Sequence, residues 1–227
     1  MITASSKGIG AGVAREFASR GYGVALLARG EEVHALADEL DGISLRGTVD
    51  DDGALAALIA AAMGRWGRID ACVANTGHPP KGNLLALTDA QWREGFDLIL
   101  ASVIRLARRV APIFAAQRSG AFVAVSSYAA ARPDAARPVS SVLRAGLSAY
   151  VKLLAEELAP HGARANAVLP GFIDSQPVHP TTVATIPLGR SGSVAELART
   201  VAWLAGDDAG FVTGQCLLVD GGMVRSL

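Results

Sequence analysis

The chain has 227 residues, 51% of them hydrophobic and 19% charged, with 21 Lys and Arg against 21 Asp and Glu. This is a globular composition with ample material for a core, and the zero formal charge gives no global field to draw in nucleic acid or an anionic membrane. No apolar run approaches the ~18 residues of a membrane span, and two cysteines, Cys72 and Cys216, are too few for a disulfide framework.

The pattern opens on Met1-Ile2-Thr3, a first strand cut to about three residues, which reads either as an abbreviated strand or as a start lying upstream. With no apolar leader there, a soluble cytoplasmic protein with reduced, buried thiols is expected. A polar, Gly-rich loop leads into a helix running to about Arg20. Strands are then expected at Val24–Ala28, Ile43–Val49, Asp70–Ala74, Ala121–Ser126, Ala163–Leu169 and Cys216–Val219. Helices are expected at Glu31–Leu40, Ala54–Trp66, Gln91–Arg118, Val139–Leu158 and Val194–Ala205. This alternation implies an α/β fold: a Rossmann-type, doubly wound parallel sheet in a single domain. Arg105, Arg108 and Arg109 fall at helical spacing and read as a solvated or interface face. The stretch from Ser175 to Pro187 is too short to divide domains and reads as a substrate loop.

The loop Thr3-Ala4-Ser5-Ser6-Lys7-Gly8-Ile9-Gly10 carries the first chemical signal. Gly8 and Gly10 let the backbone approach a pyrophosphate, and the helix that follows offers free N–H groups and its positive dipole end. A Gly-rich turn alone is weak; a strand before it and a helix after it strengthen it. Ala28 and Arg29 stand where an NAD site usually places a carboxylate for the ribose 2′-hydroxyl. With Lys7 nearby, Arg29 favours a 2′-phosphate, and so NADP(H) over NAD(H), which stays possible.

The loop resembles the Thr-Gly-x-x-x-Gly-x-Gly motif of short-chain dehydrogenases/reductases, with Ala4 for the first Gly. Ala74-Asn75-Thr76-Gly77 resembles that family's Asn-Asn-Ala-Gly, and Asn166-Ala167-Val168-Leu169-Pro170-Gly171 its segment beside the nicotinamide. Pro187-Leu188-Gly189-Arg190, Val212-Thr213-Gly214-Gln215 and Val219-Asp220-Gly221-Gly222 are similar to its C-terminal part, so the resemblance spans nearly the whole chain. It implies cofactor contacts from Thr3, Ser5, Ser6, Lys7, Gly8, Ile9, Gly10, Arg29, Thr48, Val49, Asn75, Gly77, Arg144, Pro170 and Gly171. Thr48 replaces an Asp near the adenine and keeps one hydrogen bond to offer. A homodimer or homotetramer, a small-molecule substrate and no metal are also implied.

The family's reductases use an Asn, a Ser and a Tyr-x-x-x-Lys pair. Ser127 matches the Ser. The Tyr position holds Ser140, the Lys position Arg144 and the Asn position Ile99. The tyrosines are Tyr22, Tyr128 and Tyr150 and the lysines Lys7, Lys81 and Lys152, and no pair has the spacing. Losing a positioned general acid typically costs ~10²–10⁴ in rate. Arg144 keeps a cation that can hold ribose hydroxyls or stabilise an oxyanion. Substitute proton donors are Tyr128, which also reads as a packing residue, and His78 or His179, which also read as ordinary loop histidines; His161 reads as solvated. The short substrate loop predicts an open cleft or one completed by a partner subunit. The expected activity is an atypical NADP(H)-dependent carbonyl/alcohol oxidoreductase, with a silent NADP(H)-binding pseudoenzyme or a non-redox cyclase or isomerase as alternatives.

Overall fold

In the computed structural model, which describes residues 1–225, seven strands form one parallel sheet. They are β1 (Ile2–Thr3), β2 (Ala25–Ala28), β3 (Ile43–Arg46), β4 (Ala71–Ala74), β5 (Gly120–Val125), β6 (Ala163–Pro170) and β7 (Cys216–Val219), in the order β3-β2-β1-β4-β5-β6-β7. Strands β4 and β5 are buried at every residue, as strands covered on both faces must be. One face carries α1 (Gly8–Ser19), α2 (Glu32–Glu39) and α8 (Val194–Ala205), packed through Val13, Phe17, Val33 and Val201. The other carries α3 (Asp52–Trp66), α5 (Ser102–Gln117) and α6 (Pro138–Leu158), packed through Leu55, Leu58, Leu106, Phe114 and Leu147.

Local chemistry sets the helix ends. Asp51 caps α3 by accepting from the amides of Gly53 and Ala54, and Gly67, at φ +69°, ends it. Ser193 and Glu196 form a reciprocal capping box on α8. Arg190 holds the Glu196 carboxylate at 2.6 Å, so its pKa falls to about 2. The α5 cations anchor rather than dangle: Arg109 grips Asp52 at 2.7 and 2.5 Å, and Arg105 reaches Asp97.

Three expectations are corrected. The long helix is two helices, α4 (Asp89–Phe96) and α5, joined by a π-helical turn at Asp97–Ala101 that contains Ile99. The third strand ends at Arg46 rather than Val49. Cys216 is exposed, because β7 closes the edge of the sheet; Cys72 is buried, and burial pushes its thiol up to about 12. Between α6 and α8, α7 (Pro180–Val183) adds a single helical turn inside the substrate loop. No helix among the described residues is long and apolar enough to cross a membrane.

Candidate active site

The strand order reverses between β1 and β4, and a crevice opens there at the carboxyl ends of the strands, where doubly wound sheets bind ligands. Thr3 ties the two ends together: its hydroxyl donates to Asn75 O at 2.6 Å and accepts from Asn75 N at 3.0 Å. Asn75 Nδ2 then donates to Ala4 O, and Ser5 Oγ to Leu27 O. Thr3 and Ser5 are both buried with engaged hydroxyls, so they shape the loop and offer no free hydroxyl to a ligand.

The shape is a cradle. A Cβ on Gly10 would stand 2.3 Å from Ala4 O, which no side chain permits, and Gly8 has φ +55°. Ala4, at φ +48°, holds the left-handed conformation that the family's glycine would hold without strain. No side chain caps the N-terminus of α1 and no acid lies in its first turn. Its free N–H groups and positive dipole end are therefore left for an anion, and these donors fit a pyrophosphate.

Neither Lys7 nor Arg29 has an acidic partner among the described residues, and Arg29 reaches to within 4.0 Å of a Cβ built on Gly77. Glu31, two residues after Arg29, is held by Arg46. The Thr48 hydroxyl donates to Asp50, so its expected bond to a ligand must displace that contact. The Val49 side chain belongs to the core, which leaves only its backbone to face the crevice. Ile9 packs partly into the core behind α1, while Ser6 stays partly open. Pro170 ends β6, and Gly171 passes so close to Asp220 that a Cβ would lie 2.8 Å from its Cα.

At the other end of the crevice, Ser126 and Ser127 follow β5, and α6 presents Ser140 and Arg144 one turn apart on one face. Ser127 Oγ accepts from Ala129 N and caps a short 3₁₀ turn. Ser140 and Arg144 are 8% and 6% exposed. Arg144 Nη1 donates to Val125 O at 2.9 Å, but its Nε is buried with no partner, as is Ser126 Oγ. Burial pushes the Arg144 guanidinium down to about 10, still charged at neutral pH.

Tyr128 packs with Ile186, Met223 and Val224 and donates its hydroxyl to Asp134 at 2.6 Å. Burial, then that bond, raises its pKa to about 12, so it is poorly placed as a proton donor. His179 caps α7 and points away from that role. His78 stays at the mouth, its pKa lowered by burial and then by Arg144, Lys81 and Arg137.

The loop at 175–187 reaches both sides of the crevice through exposed residues. Ser175 lies against Gly8, 3.3 Å from a Cβ built there, and Gln176 Nε2 donates to His78 Nε2 at 3.0 Å. The loop thus bridges the crevice from the glycine turn to the β4 turn. Ser126, Ser175 and Gln176 are the residues that sequence reasoning missed. The doubled Ser126-Ser127 was a visible signal; the His78–Gln176 contact, 98 residues apart, had none.

A family model described as enoyl-(acyl carrier protein) reductase matches residues 3–224. The chain is 32% identical over 237 residues to the 3-oxoacyl-(acyl-carrier-protein) reductase FabG of Staphylococcus aureus, covering 98% of this chain and 96% of that one. It is 30% identical over 233 residues to the FabG of Escherichia coli, with the same coverage. The crystal structure of YwfH, an NADPH dependent reductase involved in bacilysin biosynthesis, superposes with a TM-score of 0.93 at 21% identity, over 100% of this chain and 98% of that one, a likeness of fold. The chain belongs to the short-chain dehydrogenase/reductase family.

Proposed function

We propose that this member of the family is an NADP(H)-dependent oxidoreductase acting on a carbonyl/alcohol pair, with a guanidinium where its relatives carry a Tyr–Lys pair. The observation that carries the reading is the uncapped α1 N-terminus behind Gly8 and Gly10, flanked by Lys7 and Arg29 with no acidic partner. The cradle takes the pyrophosphate, and Lys7 and Arg29 take the 2′-phosphate. The names of the relatives, both reductases, agree with this, as does the fold neighbour's description as NADPH dependent. When bound, the dinucleotide supplies a hydride. Ser127 donates to the substrate oxygen, and Arg144 holds negative charge on the substrate without giving up a proton. The proton comes from water. A homodimer or homotetramer fits the exposed Val142 and Leu153 on α6, and Leu217 and Phe211 at the β7 edge; light scattering that gives a monomer mass would refute it.

A second reading, a silent NADP(H) binder, is favoured by one observation: Tyr128, the nearest phenol, is engaged by Asp134. NADPH consumption on a broad carbonyl panel, run beside NADPH calorimetry, separates the two. Binding with turnover supports the reductase, binding without turnover supports the silent binder, and no binding refutes both.

A further inference from the structure

We propose that the substrate carries a carboxylate beside its carbonyl group, and that the free edge of the Arg144 guanidinium receives it. This rests on the reductase reading above and names the substrate class of the same site.

The argument starts from an unpaired buried charge. Arg144 is almost fully buried, yet no carboxylate among the described residues pairs with it. Buried cations are normally paired, because desolvation costs several kcal/mol per ion. Its one hydrogen bond uses Nη1, on the Val125 carbonyl. Nε has no partner, and Nη2 makes no hydrogen bond among the described residues. Nε and Nη2 form one edge of the guanidinium fork, the edge that matches the two oxygens of a carboxylate. Elsewhere this chain uses that edge in this way. Arg15 grips Glu39 through Nε and Nη2, both at 2.8 Å, and Arg109 grips Asp52 through the same two atoms. In Arg144 the same edge is unpaired, with its Nε buried.

Its surroundings suit an anion. The buried Ser126 hydroxyl follows Val125 in the chain and has no partner. The Ser140 hydroxyl, one turn before Arg144, makes no hydrogen bond among the described residues. Arg137 and Lys81 lie close enough to lower the pKa of His78. The acid nearby, Asp134, is already held by the Tyr128 hydroxyl and Arg137. One guanidinium edge with one or two hydroxyls matches a planar monoanion, and a phosphate dianion would leave oxygens without donors. A 2-oxo acid fits: its carboxylate docks on Arg144, and its adjacent carbonyl faces Ser127. Its reduction adds a hydride from NADPH to the carbonyl carbon and a proton from water to the oxygen, giving a 2-hydroxy acid and NADP⁺.

The test is calorimetric. 2-Oxobutyrate, 2-oxohexanoate and benzoylformate, each beside its methyl ester, are titrated into the protein, first without cofactor and then with saturating NADP⁺. At least one acid is expected to bind at least about tenfold more tightly than its ester. Arg144→Gln should remove the difference, and Arg144→Lys, with the charge but not the fork, should retain part of it. The wild-type contrast needs no variant and so survives a folding failure of either one. If no acid outbinds its ester, the proposal is overturned. It is equally overturned if Arg144→Gln weakens NADPH and leaves the acids untouched, because the edge then belongs to the cofactor. Failure of NADPH to bind wild type would sink the reductase reading instead, and the cofactor-free titrations would still decide whether Arg144 takes a carboxylate.

Discussion

Replacing Arg144 by methionine should make the protein more stable. The guanidinium is buried, its pKa is pushed down from its ordinary value to about 10 by desolvation alone, and one hydrogen bond offsets that burial. Each tenfold change in a protonation equilibrium corresponds to about 1.4 kcal/mol, so holding the cation here costs about 3 kcal/mol. Methionine fills a similar volume without charge, but it leaves the Val125 carbonyl without that donor, at about 1–3 kcal/mol. The net gain is at most about 2 kcal/mol, and at ~2–4 °C per kcal/mol for a chain of this length Tm should rise by up to roughly 8 °C. The sign follows from linkage. The folded pKa lies below the unfolded one, so the penalty is fully present below about pH 10 and fades as pH rises towards the ordinary guanidinium value. The gain should therefore be full at neutral pH and shrink above about pH 10. The assay is thermal unfolding by circular dichroism at neutral pH for Arg144→Met beside wild type. A lower Tm would refute the reasoning, since it would make Arg144 a stabilising structural group rather than a cation kept for a ligand.

Ala4→Gly should relieve the left-handed strain at φ +48°, worth about 1–2 kcal/mol, against about 0.4–1 kcal/mol of added chain entropy; a Tm equal to or below wild type would contradict this. Gly10→Ala, whose Cβ would meet Ala4 O at 2.3 Å, should abolish NADPH binding, and calorimetry that finds unchanged affinity would remove the cradle from the cofactor site. Tyr128 should resist ionisation until about pH 12 in an ultraviolet absorbance titration, and Asp134→Asn should lower that value. Glu196 should stay ionised to about pH 2 in a carboxyl NMR titration; its contribution to stability is present above the ordinary carboxylate value and is lost only as pH falls towards 2.

The parallel sheet was legible because fully apolar runs such as Ala71–Ala74 alternate with amphipathic helices, and a parallel sheet covered on both faces is the packing that buries both. The glycine turn was legible from Gly8 and Gly10, and the placement of Ser140 and Arg144 on one helix face from their spacing. The π-helical turn at Asp97–Ala101 was not, because one extra residue shifts the register of a helix without interrupting its apolar pattern. Cys216 was misjudged because an apolar run does not say whether its strand lies in the middle of the sheet or at its edge. The loop contact across the crevice and the unpaired edge of Arg144 depend on what lies opposite in space, Gln176 against His78 and Val125 under the guanidinium, and no local pattern encodes such partners.

The central claim is a site for NADP(H) whose preference is set by Lys7 and Arg29, and calorimetric titration of NADPH and NADH into wild type and Arg29→Asp tests it most directly. Arg29 has no acidic partner among the described residues, so a carboxylate in its place should repel the 2′-phosphate without disturbing the fold. Wild type should bind NADPH at least about tenfold more tightly than NADH, and Arg29→Asp should reverse that order. Equal affinities in wild type, left unchanged by the substitution, would contradict the account.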